Sequence, residues 1–167
     1  MTVRAAALAV LVGLLLVALC LFAQDAQKTT QLIPAAQGGK VKSPSGKAVL
    51  TIPPGALAAD TEMTMAEMPK GEGPTIGPVY DLQPDGLKLQ QPATLTISYS
   101  REDVPEGFEP EDVAITQVLP PQQPAQAQGQ PGQTLVPPTG YDYLETAVDA
   151  AAGTASAQLE HLSRYSA

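Results

Sequence analysis

Apolar residues run without interruption from Ala5 to Ala23, directly behind the single cation Arg4. After a polar stretch, a different texture begins at Gly38, where apolar and polar positions alternate in short bursts. In "AVLTI", Ala48, Leu50 and Ile52 alternate with Val49 and Thr51. "TEMTMAEM" sets Met63 and Met65 against Glu62 and Thr64, and "ATLTISYS" sets Ala93, Leu95, Ile97 and Tyr99 against Thr94, Thr96 and Ser98. "DVAITQVL" contributes Val113, Ile115 and Leu119, and near the end Ala155, Ala157 and Leu159 alternate with Ser156, Gln158 and Glu160. Successive side chains of a strand point to opposite faces, so each burst predicts a strand with one face toward a core. Tyr141 to Val148 reads as one further strand, because Val148-Asp149 leads into a turn at Gly153 and another alternating run.

Between the bursts stand Pro53-Pro54-Gly55, Pro69 with Gly71, Pro84-Asp85-Gly86 and Pro105 with Gly107. Such residues fix turns and are excluded from central strands. Short strands with turn signals between them predict an all-β, antiparallel β-sandwich, preceded by an N-terminal signal or anchor helix. The expected domains are a signal peptide or membrane anchor at 1–23, a flexible leader at 24–37 and the sandwich at 38–167. Within the sandwich, "PPQQPAQAQGQPGQTLVPP" at 120–138 holds almost nothing to bury and reads as an extended loop between two strands.

One cation, an apolar core and then small residues are the layout of a secretory signal. A cut after Ala23 places Leu21 in the pocket that takes small or aliphatic groups, whereas a cut after Ala26 places bulky Gln24 there. The run is also long enough to span a bilayer, so a retained anchor is the alternative. Cys20 follows Leu19, where a lipoprotein signal carries a small residue, and Leu21-Phe22-Ala23 stays apolar beyond it. It therefore reads as one more apolar residue of the signal core, not as a lipidation site. The exported part then has no disulfide and no thiolate metal site. The expected location is the periplasm, the cell surface or the medium, with membrane contact only through residues 5–23 if they are kept.

Charge narrows the partners. Lys and Arg number 9 against 17 Asp and Glu, and an acidic surface repels phosphate backbones. Nucleic acid is excluded on that ground, leaving an unknown protein or envelope component as the expected partner. Trp is absent and Phe occurs twice, which disfavours an aromatic platform for stacked bases or sugars.

The stretch "GGKVKSPSGKAVLTIPPGAL" resembles the opening of a ZU-5 domain, the β-sandwich module of zonula occludens proteins, netrin receptors, ankyrins and exported bacterial proteins. The family's Gly-Gly, short strand and Ile-Pro-x-Gly-Ala-Leu signature correspond here to Gly38-Gly39 and to Ile52, Pro53, Pro54, Gly55, Ala56 and Leu57. "VYDLQPDGLKLQQPATLTISYS" and the terminal "VDAAAGTASAQLEHLSRYSA" are similar to later parts of the domain, and the likeness extends over residues 38–167. Departures are Leu162 in place of Phe, Tyr143 in place of a common Trp, and the Pro/Gln insertion. The signature also has a physical reading. Ile52 buries a strand end, the two prolines stop the ladder, Gly55 permits positive φ, and Ala56-Leu57 tucks back onto the core. Nothing in it is chemically reactive.

His161 is the only histidine, and Ser163 stands two residues beyond it. An unbroken period of two would put Ala155, Ala157, Leu159, His161, Ser163 and Tyr165 on one face, the last pairs about 6–7 Å apart along the strand. Some ZU-5 domains and other β-sandwich families with a His-Leu-Ser or His-Phe-Ser site cut their own chain before the serine. The resemblance thus implies an alternative in which Ser163 attacks the Leu162 carbonyl with His161 assisting proton transfer. The plainer expectation is a strand end, with the imidazole and hydroxyl hydrogen-bonded locally. One histidine starves zinc sites and Ser-His-Asp triads of parts. The acidic stretch Glu102 to Asp112 offers oxygen ligands without a calcium-loop spacing, and reads as a solvated loop, with a calcium- or glycan-binding module as a further alternative. The sequence therefore predicts an exported non-enzymatic module for protein interaction or envelope structure, with no cofactor and no metal.

Overall fold

A computed structural model describes residues 27–70, 75–119 and 140–167. The expected signal or anchor segment at 1–23 and the Pro/Gln-rich loop at 120–138 lie outside the described residues. Eleven strands follow in chain order: β1 (Gln27–Ile33), β2 (Gly39–Lys42), β3 (Ala48–Ile52), β4 (Thr61–Met68), β5 (Val79–Gln83), β6 (Lys88–Ser98), β7 (Thr116–Val118), β8 (Tyr141–Tyr143), β9 (Thr146–Asp149), β10 (Thr154–His161) and β11 (Arg164–Ser166). Two short 3-10 turns, Arg101–Asp103 and Pro110–Asp112, bracket the acidic stretch between β6 and β7. The strands form a six-stranded sheet in the order β1-β4-β5-β11-β7-β8 and a five-stranded sheet in the order β2-β3-β6-β10-β9. Every strand pair among the described residues is antiparallel.

The alternation read from the sequence matches the burial. Ala48, Leu50 and Ile52 of β3, Ala93, Leu95 and Ile97 of β6, and Ala155, Ala157 and Leu159 of β10 are buried. They join Met63, Met65, Tyr80, Leu82 and Tyr165 of the other sheet in a single core cluster. The core is aliphatic apart from these two tyrosines, and its burial is the main favourable term holding the two sheets together.

Two expectations need correction. The supposed flexible leader at 24–37 contains β1, which pairs with β4 from Gln27↔Glu67 to Ile33↔Thr61. Only Ile33 of this strand is buried, so the strand carries no apolar alternation to read. Backbone pairing holds it instead, with a Thr30–Thr64 hydroxyl contact at 2.8 Å. The second correction concerns Tyr141 to Val148, which is two strands in different sheets. β8 pairs with β7, β9 pairs with β10, and the chain changes sheet at Leu144-Glu145. Hydrogen bonds fix that step: Leu144 N–H donates to the Ile115 carbonyl at 3.0 Å, and Ile115 N–H donates to Thr146 Oγ1 at 3.0 Å.

At the Ile52 to Leu57 signature, Ile52, Ala56 and Leu57 are buried while Pro54 is exposed. Gly55 takes φ +76°, and its N–H donates to the Ala35 carbonyl at 2.8 Å. The corner thereby ties β3 to the segment leaving β1.

Candidate functional site

The last two strands place His161 and Ser163. β10 pairs with β6 in regular register from Thr154↔Ser98 to Leu159↔Ala93, and then the register slips so that His161 faces Lys88. The extra residues of β6 include Pro92, which has no N–H to give the ladder. Past this irregularity the chain leaves the five-stranded sheet and enters the six-stranded one as β11. The unbroken alternation expected through Tyr165 therefore fails. Leu162 is fully buried, while His161 and Ser163 are half-buried; His161 ends β10, and Ser163 lies between β10 and β11.

The crossover is held through its backbone. Tyr165 Oη donates to the His161 carbonyl at 2.8 Å, Gly86 N–H to the Leu162 carbonyl at 2.8 Å, and Leu82 N–H to the Ser163 carbonyl at 3.0 Å. Leu162 N–H in turn donates to the Leu87 carbonyl at 2.9 Å. Three successive carbonyls thus each have a donor, as the cost of an unpaired buried carbonyl requires. The Pro84-Asp85-Gly86 turn, which reads in the sequence as simple punctuation, supplies one of them.

Among side chains, Gln117 Nε2 donates to Ser163 Oγ at 3.4 Å, and Arg164 pairs with Asp81 at 3.2 Å. No hydrogen bond joins the His161 imidazole to Ser163 among the described residues. The imidazole lines an open groove, about 840 Å³, together with Asp142, Glu145 and Glu160. Beneath the crossover, burial pushes the Tyr165 phenol up to about 12, with the Asp85 carboxylate adding to the effect. The neighbouring Tyr80 phenol is likewise pushed up to about 12 by burial first, then by Glu67 and Asp103. Neither phenol is set up to give its proton near neutrality.

Three carboxylates of the acidic stretch, Asp103, Glu109 and Asp112, make contacts within the stretch itself. Asp103 Oδ2 accepts from Ser100 N–H at 2.9 Å and from Ser100 Oγ at 2.8 Å, and these bonds hold its carboxyl below the usual range. Asp112 Oδ2 accepts from Glu109 N–H at 2.9 Å, and Arg101 pairs with Glu109 at 3.1 Å. No group of three or more His, Cys, Asp or Glu side chains gathers to hold a metal ion among the described residues.

One feature escapes a reading of the sequence. Phe108, within the acidic stretch, and Tyr143, on β8, flank an open cleft of about 520 Å³ and remain 60% and 66% exposed. A lone Phe among six carboxylates is the available signal, but its partner ring lies far along the chain. Only the sheet order brings them together.

No protein-family model matches the chain, and no curated protein matches it in sequence.

Proposed function

We propose that the chain is an exported, non-enzymatic β-sandwich of ZU-5 type, serving as an interaction or structural module in the periplasm or at the cell surface. The fold reading rests on two antiparallel sheets sharing one core, and the family reading on the Ile52 to Leu57 signature. Export rests on Arg4 and the apolar run behind it. The observation that carries an interaction role is the pair of large rings, Phe108 and Tyr143, both exposed and both lining one cleft. Exposed apolar side chains converging on one cleft mark binding surfaces more often than singly scattered ones do. Photo-crosslinking from position 143 in intact cells tests the proposal. A discrete adduct in the envelope fraction is expected, and none from a probe at exposed Leu32. Cytoplasmic protein, or no adduct at position 143, would overturn it.

Self-cleavage between Leu162 and Ser163 is the second reading, favoured by one contact. Gly86 N–H already points at the Leu162 carbonyl oxygen, where an oxyanion would form. In that reaction Ser163 Oγ adds to the Leu162 carbonyl carbon, the Leu162–Ser163 C–N bond breaks, and His161 passes the hydroxyl proton to the departing nitrogen. Water then hydrolyses the resulting ester, leaving a Leu162 carboxylate and a free Ser163 amine. Intact mass decides. A species ending at Leu162 that disappears in Ser163→Ala supports cleavage, and a single uncut mass supports the non-enzymatic reading.

A further inference from the structure

We infer that the cleft between Phe108 and Tyr143 is a docking site for an extended basic peptide segment of another protein, one that carries Lys or Arg beside apolar side chains. This rests on the interaction reading above and names the surface and the partner's chemistry.

The cleft is lined by apolar Val104 and Val113 and by the two aromatic residues, with Thr75 and Thr116 among them. Its carboxylates are Glu109 and Asp112, and the described lining contains no Lys or Arg. The acidic stretch beside it carries Glu102, Asp103, Glu106, Glu109, Glu111 and Asp112, offset by Arg101 within it and by Lys47, which pairs with Asp103 at 3.9 Å. The Arg101–Glu109 pair is 70% and 68% exposed at its two side chains, so an incoming cation exchanges with it at little cost. Charge complementarity therefore selects a cation, and a cation meeting Phe108 or Tyr143 gains further from the ring face.

Two observations separate a peptide from a small cation. Rings that stay more than half exposed flank a ligand without enclosing it, whereas small-molecule sites bury most of their ligand. In addition, Thr75 is 3% exposed and lines the cleft, yet its hydroxyl has no hydrogen-bond partner among the described residues. A buried hydroxyl without a partner is costly. A peptide backbone offers both an acceptor and a donor to satisfy it.

The test uses the full-length protein and fluorescein-labelled Lys-Leu-Lys-Leu-Lys, with Glu-Leu-Glu-Leu-Glu as its counterpart. Anisotropy should show binding of the lysine peptide only, weakening as salt is added. Phe108→Ala and Tyr143→Ala should each weaken it about tenfold, as loss of an aromatic anchor does. Amide shift changes in the unmodified protein should centre on Thr75, Phe108 and Tyr143, which keeps the test decisive should a variant fail to fold. Equal binding of both peptides, no binding, unchanged affinity in folded variants, or shifts centred elsewhere would overturn the inference. If basic peptide fails while crosslinks from position 143 persist, the partner chemistry falls and the interaction role stands. If both fail, the interaction role falls too.

Discussion

Tyr80 and Tyr165 face each other across β5 and β11 and are each 1% exposed, yet their hydroxyls differ. Tyr165 donates to the His161 carbonyl at 2.8 Å, while the Tyr80 hydroxyl has no partner among the described residues. Removing an unpaired buried hydroxyl relieves a desolvation cost, whereas removing a paired one orphans an acceptor. Tyr80→Phe should therefore be neutral or stabilising by up to about 1 kcal/mol, and Tyr165→Phe should cost about 1 kcal/mol or more, both read by urea denaturation. The two phenols also contribute to stability at alkaline pH. Their folded values near 12 lie above the ordinary 10.0, so the folded chain keeps protons that the unfolded chain releases. Their contribution is complete below about pH 10 and is lost as pH rises toward about 12. Denaturant titrations across that window should show stability falling with pH, and less steeply in Tyr80→Phe. Gly38 is the third residue with a clear outcome. At φ +65°, an added Cβ would meet the Ile52 carbonyl oxygen and lie 2.7 Å from the Pro53 carbonyl carbon. Gly38→Ala should cost about 2 kcal/mol or more in the same denaturation assay.

At the scale of elements, β1 matters more than its composition suggests. It covers the outer edge of β4, whose backbone would otherwise be open to pairing with another molecule. Deleting residues through Ile33 should lower the urea midpoint and promote self-association, measured by light scattering on the truncated chain. Strands β3, β4, β6 and β10 are legible in the sequence because one face of each is buried, and burial writes a period of two. β1 is not legible, since Gln27 to Leu32 stay largely in water and ladder bonds leave no compositional trace. β8 and β9 merge in a sequence reading because Tyr141 to Asp149 carries no Gly or Pro at the sheet change, which hydrogen bonds around Thr146 make instead. The alternation past Leu159 misleads for a related reason. A register slip moves Leu162 into the core, and a strand pattern cannot announce a slip caused by its neighbour.

For the whole molecule, the final strand is central where chain order would make it peripheral. β11 lies between β5 and β7, so the residues after His161 close the six-stranded sheet and link it covalently to the other. The carbonyls of His161, Leu162 and Ser163 accordingly take their donors from Tyr165, Gly86 and Leu82, on the strands and turn around the crossover. The cleft of Phe108 and Tyr143 also belongs to this scale, since it exists only once β8 is set on the far edge of that sheet. The crossover from β10 to β11 stitches the two sheets into one cooperative body. Native-state hydrogen exchange of the Leu82, Gly86 and Leu162 amides tests this most directly. All three should exchange only through global unfolding, with the same free energy as the core of β6. Exchange of these amides through local opening, while β6 stays protected, would contradict it.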